Sequence, residues 1–144
     1  MSNESVLESF KHYRRVYHSN TDSAGIVYYG DYFIFFEEAR AEWLRSIGFN
    51  QSEFANEFGT HILVKSVREM NFLKPAKMDE LIYIGSSLLS HTKVSFTIQQ
   101  CAFNEADEEL VKAQIDLLSV DSKTGRPKRT PQALLDRLVS ASSK

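Results

Sequence analysis

A carboxylate in a glycine-containing loop is the clearest feature of this sequence that could do chemistry. Asp22 lies in the loop Asn20–Gly30, and Gly25 follows it in the same loop. A long helical pattern begins where the loop ends, and a carboxylate near a helix start can face backbone N–H groups. The spacing also fits a plainer interpretation, in which Asp22 or Asp31 only caps the helix.

Other nucleophilic or metal-binding sets have less support. Cys101, His18 and Ser23 are residue types that could form a nucleophilic set, but no motif places them together. The histidines lack a ligand spacing such as His-x-x-x-His, so we expect activity without a metal or any other cofactor. The four histidines are His12, His18, His61 and His91.

One strand and one long helix are predicted on either side of the Asp22 loop. The run His12–His18 contains strand-forming residues. Apolar residues recur at three- and four-residue spacing across Asp31–Ile47, which predicts a helix, and Gly48 is placed to end it. On that helix Glu37 and Arg40 share a face, which indicates an ion pair or a subunit contact.

The rest of the chain predicts four strands and two shorter helices. Asn50 begins a capping-box pattern for a short helix that ends at Gly59. Thr130 and Pro131 form an N-cap and first-turn pair for a final helix to about Val139. Short connections between the strands predict an antiparallel meander. The strands are expected at His61–Leu73, Leu81–Leu89, Lys93–Phe103 and Leu110–Val120.

Length and composition indicate one domain. The chain has 144 residues, of which 42% are hydrophobic and 25% charged, and its formal net charge is −2. This charge balance argues against a dedicated nucleic-acid binder. The sequence shows neither an apolar run of ~18 residues nor a secretory leader, and it has one cysteine, so we expect a cytoplasmic protein without a membrane span. One long helix with an antiparallel sheet predicts an α+β fold in two layers.

Two stretches carry the motifs of a known enzyme family. The first has a Thr-Asp pair, two small residues, glycine, a hydrophobic pair and an aromatic pair before a Glu-x-Ala-Arg run, and the second lies near the C-terminus. The matching residues are Thr21-Asp22, Ser23-Ala24, Gly25, Ile26-Val27, Tyr28-Tyr29, Glu37-Glu38-Ala39-Arg40, Val120-Asp121, Thr124-Gly125-Arg126-Pro127 and Pro131. Over about residues 11–138 of a single domain 1–144, the chain resembles hotdog-fold acyl-CoA thioesterases of the 4-hydroxybenzoyl-CoA thioesterase type, in the YbgC-like branch.

The resemblance implies a fold, a reaction and roles for named residues. It implies a hotdog fold, in which about five antiparallel strands wrap around the long helix, and a dimer or dimer of dimers with sites between subunits. Asp22 matches the catalytic carboxylate, as nucleophile or general base, and the N–H of Tyr29 matches the donor that polarises the thioester carbonyl. Substrate contacts are expected at Gly25, Val27 and Tyr28. Many relatives have a further aspartate where this chain has Asn20.

An acyl-CoA substrate also carries phosphates that need basic partners. The densest basic run contains Arg126, Lys128 and Arg129, although such a run also fits a solvated loop. The resemblance also indicates Lys93, which follows the predicted turn Ser90–Thr92, as a phosphate contact. Two other classes stay open, namely a hotdog hydratase or dehydratase and a non-catalytic protein that binds acyl-CoA or acyl-carrier protein.

Overall fold

An antiparallel sheet and one long helix make up most of the structure, a computed structural model that describes residues 10–142. The sheet has five strands and the helices pack mainly on one of its faces. This is the predicted α+β arrangement. The elements are β1 Phe10–Arg15, α1 Asp31–Ser46, α2 Phe54–Phe58, β2 Thr60–Phe72, β3 Leu81–His91, β4 Ser95–Phe103, β5 Glu109–Asp121 and α3 Gln132–Ser142.

Helix α1 supplies the aromatic centre of the core. Its apolar residues recur every three or four positions and therefore form one face, which the sheet buries. Inward residues of β3, β4 and β5 complete this core. The helix ends where the sequence predicts, because Gly48 adopts a φ of 97° that other residues rarely tolerate. The buried residues of α1 are Tyr32, Phe35, Phe36, Ala39 and Trp43.

The predicted meander is correct for β3, β4 and β5 but wrong for β2. The strand order is β1-β3-β4-β5-β2, so β2 pairs with β5 at the far edge of the sheet. The segment Leu73–Glu80 crosses the end of the sheet instead of forming a hairpin. It contains Pro75, and the N–H groups of Leu73 and Lys74 both donate to Leu110 of β5. This crossover carries the chain past the start of α1, where Lys77 bridges to Ile26.

Several predicted element ends differ from the structure for local reasons. Strand β1 ends at Arg15, and His18–Asn20 forms a short 3-10 turn. Asn50 does not cap α2, because its side chain accepts from the N–H and the hydroxyl of Ser52 in a preceding turn. Thr130 does not cap α3, because its hydroxyl pairs with that of Ser119 at 2.6 Å.

Candidate active site

Residues 20–28 form a small hairpin that holds Asp22 beside the start of α1. The N–H of Tyr28 donates to the carbonyl of Asn20, and the N–H of Asp22 donates to the carbonyl of Ile26, each at 2.9 Å. Between these two bonds, Thr21 bridges to Val27. The turn closes through Gly25, whose φ of 80° lies in the region that favours glycine.

The Asp22 side chain is exposed and only partly engaged. Its Oδ1 accepts from the N–H of Ala24 at 2.8 Å, which fixes the carboxylate across the turn. Its Oδ2 has no hydrogen-bond donor within residues 10–142. One carboxylate oxygen therefore stays free to attack a substrate or to take a proton. The interpretation in which Asp22 caps the helix is wrong, because its Oδ1 accepts from Ala24 within the loop and not from an N–H group of α1.

The backbone N–H of Tyr29 is a free donor at the start of α1. No acceptor for it lies in the described part of the chain. Helical turns already begin here, since Asp31 and Tyr32 donate to the carbonyls of Tyr28 and Tyr29. Asp31 is therefore the first helical residue, not the N-cap, and Gly30 occupies the cap position without a side-chain bond. The helix dipole gives such an N-terminal donor a partial positive charge.

A cleft of about 360 Å³ runs between the Asp22 loop and the crossover after β2. Its walls are mostly apolar, and Asp22 and Lys74 are its charged members. Burial raises the pKa of Tyr32 to about 12. The backbone of Ala76, in the crossover, partly opposes this rise in pKa. The lining residues are Asp22, Ile26, Val27, Tyr29, Tyr32, Phe72, Leu73, Lys74 and Pro75.

The two adjacent tyrosines, Tyr28 and Tyr29, are exposed. Tyr28 is 47% and Tyr29 60% exposed, so neither belongs to the core of this chain. Their rings pack together with centroids 4.7 Å apart. A hydrogen bond with Tyr29 is the main cause that raises the pKa of Tyr28. Both rings are thus available to a substrate or to a second chain.

The basic candidates lie at the opposite end of the sheet from Asp22. Strand β3 begins beside the crossover and ends at the hairpin that carries Lys93. Its 11 residues, at about 3.3 Å each, span about 35 Å. Lys93 and Arg129 line one shallow cleft together with His91, and the N–H of Thr130 donates to the carbonyl of Lys93. The structure therefore unites Lys93 with Arg129 and separates both from Asp22 within one chain.

Lys128 and Arg126 have different surroundings in the same segment. The Lys128 ammonium donates to the carbonyls of Phe58 and Gly59, each at 3.1 Å, and so caps the C-terminus of helix α2. Its three donors are therefore largely used within the chain. The Arg126 side chain is exposed, and no side-chain partner for it lies in the described residues.

The structure supports neither the Glu37–Arg40 ion pair nor a nucleophilic set that contains Cys101. Arg40 donates to Gln100 at 3.0 Å, and no ion pair joins it to Glu37 among the described residues. The ion-pair alternative is therefore wrong, and the subunit contact stays a prediction. Burial lowers the pKa of Arg40. Cys101 is fully buried, and burial raises the pKa of its thiol, which makes it a poor nucleophile. It lies on β4, outside the Asp22 cleft.

A separate apolar cavity of about 210 Å³ lies between α1, α3 and the first half of β2. Arg40 forms part of its wall. The sequence analysis did not identify it, because its walls come from elements that are distant along the chain. The apolar lining includes Trp43, Leu44, Ile62, Leu63, Leu134 and Leu138.

Comparison with known proteins identifies the family. The family model described as Thioesterase superfamily matches residues 24–111. The chain belongs to the thioesterase superfamily. This thioesterase is 29% identical over 121 residues to a protein named Acyl-CoA thioester hydrolase YbgC from Escherichia coli, covering 84% of this chain and 89% of that one. It is 33% identical over 129 residues to a putative esterase of Aquifex aeolicus, covering 90% and 97% respectively.

A solved structure confirms the hotdog fold. A crystal structure of a hypothetical protein from Aquifex aeolicus superimposes with a TM-score of 0.82 and 31% identity, covering 90% of this thioesterase and 98% of that chain. The family model and the curated relatives named as acyl-CoA thioester hydrolases identify the protein as a thioester hydrolase, as the resemblance implied. Within the described residues, no helix of this thioesterase is both long and apolar enough to span a membrane.

Proposed function

We propose that the protein hydrolyses acyl-CoA thioesters, with the Asp22 carboxylate and the Tyr29 N–H as its catalytic groups. The observation that carries the proposal is their placement in one cleft, with Asp22 on the hairpin and Tyr29 directly after it at the start of α1. Asp22 has a free carboxylate oxygen and Tyr29 a free N–H, and both line the same cleft. The curated relative named for acyl-CoA hydrolysis supports this substrate class.

The Tyr29 N–H is proposed to stabilise the charge that develops during the reaction. Attack on a thioester converts its carbonyl oxygen into an oxyanion. A fixed N–H at a helix start stabilises that oxyanion better than the neutral carbonyl, and such a donor contributes about 3–4 kcal/mol to catalysis. Because the donor is a backbone group, its position depends on the hairpin and not on the Tyr29 side chain.

Asp22 is proposed to supply the attacking group in one of two ways. Its free oxygen can attack the thioester carbon, which forms an acyl-aspartyl anhydride and releases CoA thiolate, and water then hydrolyses the anhydride. Alternatively, the carboxylate takes a proton from a water molecule that attacks the carbonyl. CoA thiolate is a good leaving group, so neither route depends on a strong general acid.

A second copy of the chain is proposed to complete the site. Strand β2 is an edge strand with exposed apolar side chains, among them Leu63 and Val64 at 50% and 48% exposure. Antiparallel pairing of two β2 strands about a two-fold axis would place the basic end of one chain beside the Asp22 end of the other. Lys93, Arg126 and Arg129 would then reach the phosphates of CoA. The apolar cavity, which opens along the first half of β2, would receive the acyl group.

Replacement of Asp22 tests the proposal. We expect Asp22→Asn to lower the turnover of an acyl-CoA panel at least about 100-fold, measured as thiol release, while CoA binding and thermal stability persist. Asp136→Asn is the matched control, because it makes the same change at an exposed position of α3, outside the Asp22 cleft. Its turnover should stay within about 3-fold of wild type. Unchanged turnover in Asp22→Asn would contradict the assignment, and a wild type that binds acyl-CoA without turnover would indicate a binding protein.

A further inference from the structure

The side chain of Asn20 joins three parts of the structure at the base of the Asp22 hairpin. Its Oδ1 accepts from the N–H of Tyr17 and from Nη1 of Arg14, each at 2.9 Å. Its Nδ2 donates to Oδ2 of Asp31, also at 2.9 Å. The side chain is 9% exposed, so these bonds form largely out of water.

The same residue supports both catalytic groups through its backbone. Its carbonyl accepts the N–H of Tyr28, the residue directly before the proposed oxyanion donor. Along the chain it stands two positions before Asp22. A displacement of Asn20 therefore moves the carboxylate and the Tyr29 N–H relative to each other. A shift of about 1 Å in such a pair is enough to cost about 100-fold in rate.

Two charged groups attach this hairpin base to helix α1. Asp31, the first residue of α1, accepts from Asn20. Arg14 makes a two-pronged ion pair with Glu38, about two turns further along α1, at 2.9 and 3.0 Å. Its guanidinium lies over the Phe35 ring, 4.1 Å from the ring centroid. The cluster thus contains one guanidinium and two carboxylates, with the neutral amide between Arg14 and Asp31. An amide suits this place because it accepts from the cation and donates to the anion.

We propose that the Asn20–Asp31 hydrogen bond is a positioning device that sets Asp22 and the Tyr29 N–H in their catalytic geometry. The inference rests on the proposed function, because it assigns a purpose to geometry that matters only if these two groups act together. It also explains why an asparagine suits position 20 when position 31 is an aspartate. An aspartate at position 20 would have no N–H to donate to Asp31, and two carboxylates at this distance repel each other.

Exchange of the two side chains gives the sharpest test. Asn20→Asp should lower kcat about 10- to 100-fold and leave KM within about 3-fold, because orientation is lost while the binding surfaces stay. Asp31→Asn should have a small effect, since Asn20 can still donate to the new amide oxygen. The double variant N20D/D31N restores a donor and an acceptor in reversed order, so its kcat should return to within about 3-fold of wild type.

Controls separate positioning from general stability and from charge. Asn56→Asp adds the same charge at an exposed position of α2 and should leave kcat unchanged. All measurements are made well below the melting temperature of each variant. If Asn20→Asp lowered only the melting temperature, with kcat as in wild type, Asn20 would be merely structural and the inference would be wrong. It would also be wrong if N20D/D31N were no better than Asn20→Asp.

A measurement without substrate distinguishes this inference from the proposed function. The amide resonances of Ala24 and Tyr29 report the position of the Asp22 carboxylate and of the oxyanion donor. The chemical shifts of both amides should change in Asn20→Asp and should return to their wild-type values in N20D/D31N. Unchanged resonances in Asn20→Asp, or shifts that persist in N20D/D31N, would overturn the inference. A wild type that hydrolyses no acyl-CoA ester would overturn the proposed function, and the resonances would still decide whether Asn20 sets the loop geometry.

Discussion

At the scale of single residues, the candidate site depends on which backbone and side-chain groups remain unpaired. The turn after Asp22 uses one carboxylate oxygen and leaves the other free. The start of α1 likewise leaves the Tyr29 N–H without an acceptor in the described residues. Each group is free because of its local backbone geometry, which is the turn after Asp22 in one case and the start of α1 in the other. The site therefore needs few dedicated side chains, and its precision comes from the loop.

Gly25 provides a residue-scale prediction about this loop. Its φ of 80° is strained for any residue with a Cβ, although no atom lies within 4 Å of the position that a Cβ would occupy. Gly25→Ala should therefore cost about 1–2 kcal/mol through backbone strain alone. We also expect a lower kcat, because relief of the strain moves the turn that fixes Asp22. Thermal unfolding and thiol-release kinetics measure the two effects. The exposed neighbouring change Ser23→Ala should alter neither, and a wild-type kcat in Gly25→Ala would show that the turn tolerates movement.

At the scale of elements, the basic segment between β5 and α3 contains residues with distinct roles. Lys128 caps the C-terminus of α2 by donating to two carbonyl oxygens, whereas Arg129 lines a cleft together with Lys93. Residues close together in sequence thus serve different elements. The separation allows the nucleotide proposal to be tested within one segment.

We predict that Arg129→Ala and Lys128→Ala differ on full and truncated substrates. Arg129→Ala should raise KM for an acyl-CoA ester with little change in kcat, and the effect should shrink as salt rises. It should vanish on a pantetheine thioester, which lacks the nucleotide. Lys128→Ala should instead lower the melting temperature and affect both substrates alike. Equal losses on both substrates for Arg129→Ala would place the nucleotide elsewhere.

Asp116 joins three strands and predicts how stability depends on pH. Its carboxylate accepts from Arg68 and Ser66 of β2 and from Thr97 of β4. The hydrogen bond from Arg68 is the main cause that holds its pKa below the usual range. Because the folded pKa is depressed, the carboxylate stabilises the fold above its unfolded pKa of about 3.9, and this contribution is lost as pH falls towards the folded pKa.

Asp116→Asn should therefore remove part of the acid sensitivity. At pH 7 we expect a loss of about 1 kcal/mol, because the amide cannot replace a charged acceptor. As pH falls below about 4, from the unfolded pKa towards the depressed folded pKa, the difference in stability between wild type and Asp116→Asn should narrow. Urea unfolding at several pH values measures this, with the exposed Asp136→Asn as control. Parallel curves for wild type and Asp116→Asn would contradict the prediction.

At the scale of the whole molecule, one chain separates groups that the proposed reaction needs together. Asp22 lies at one end of the sheet and the cleft of Lys93 and Arg129 at the other. Exposed apolar side chains line the β2 edge, and Phe33 of α1 is exposed beside Val64 and Val67 of that strand. Unpaired edges and apolar patches of this kind are usually covered. Self-pairing along β2 would cover them and unite the two ends.

A charge at the β2 edge tests this assembly. Val64→Arg should convert an oligomer into a monomer, measured by light scattering, and should lower kcat/KM at least about 10-fold, because each site would lose its second chain. Leu89→Arg is a matched control, since Leu89 on β3 is 45% exposed and lies away from the β2 edge. It should keep the wild-type mass and activity. A wild-type chain that is monomeric and fully active would contradict the proposal.

The sequence by itself determined the elements and the candidate chemistry. The α1 helix and the strands follow from side-chain periodicity, which reflects interactions between residues close along the chain. Gly48 ends α1 as predicted, and the Asp22 loop was recognised from contiguous motifs. The α+β hotdog fold and the thioesterase family were confirmed, whereas the roles of Asp22 and Tyr29 stay predictions.

Only the tertiary structure decided which of these elements meet. Strand β2 lies at the far edge because its hydrogen bonds go to β5, which follows it by dozens of residues, and no local pattern encodes that choice. The resulting crossover brings Phe72 and Leu73 to the Asp22 cleft. Long-range contacts also assign Lys128 to the end of α2 and Asn20 to Arg14 and Asp31. Such bonds join residues through space, and their partners are fixed only when the sheet and helix have packed.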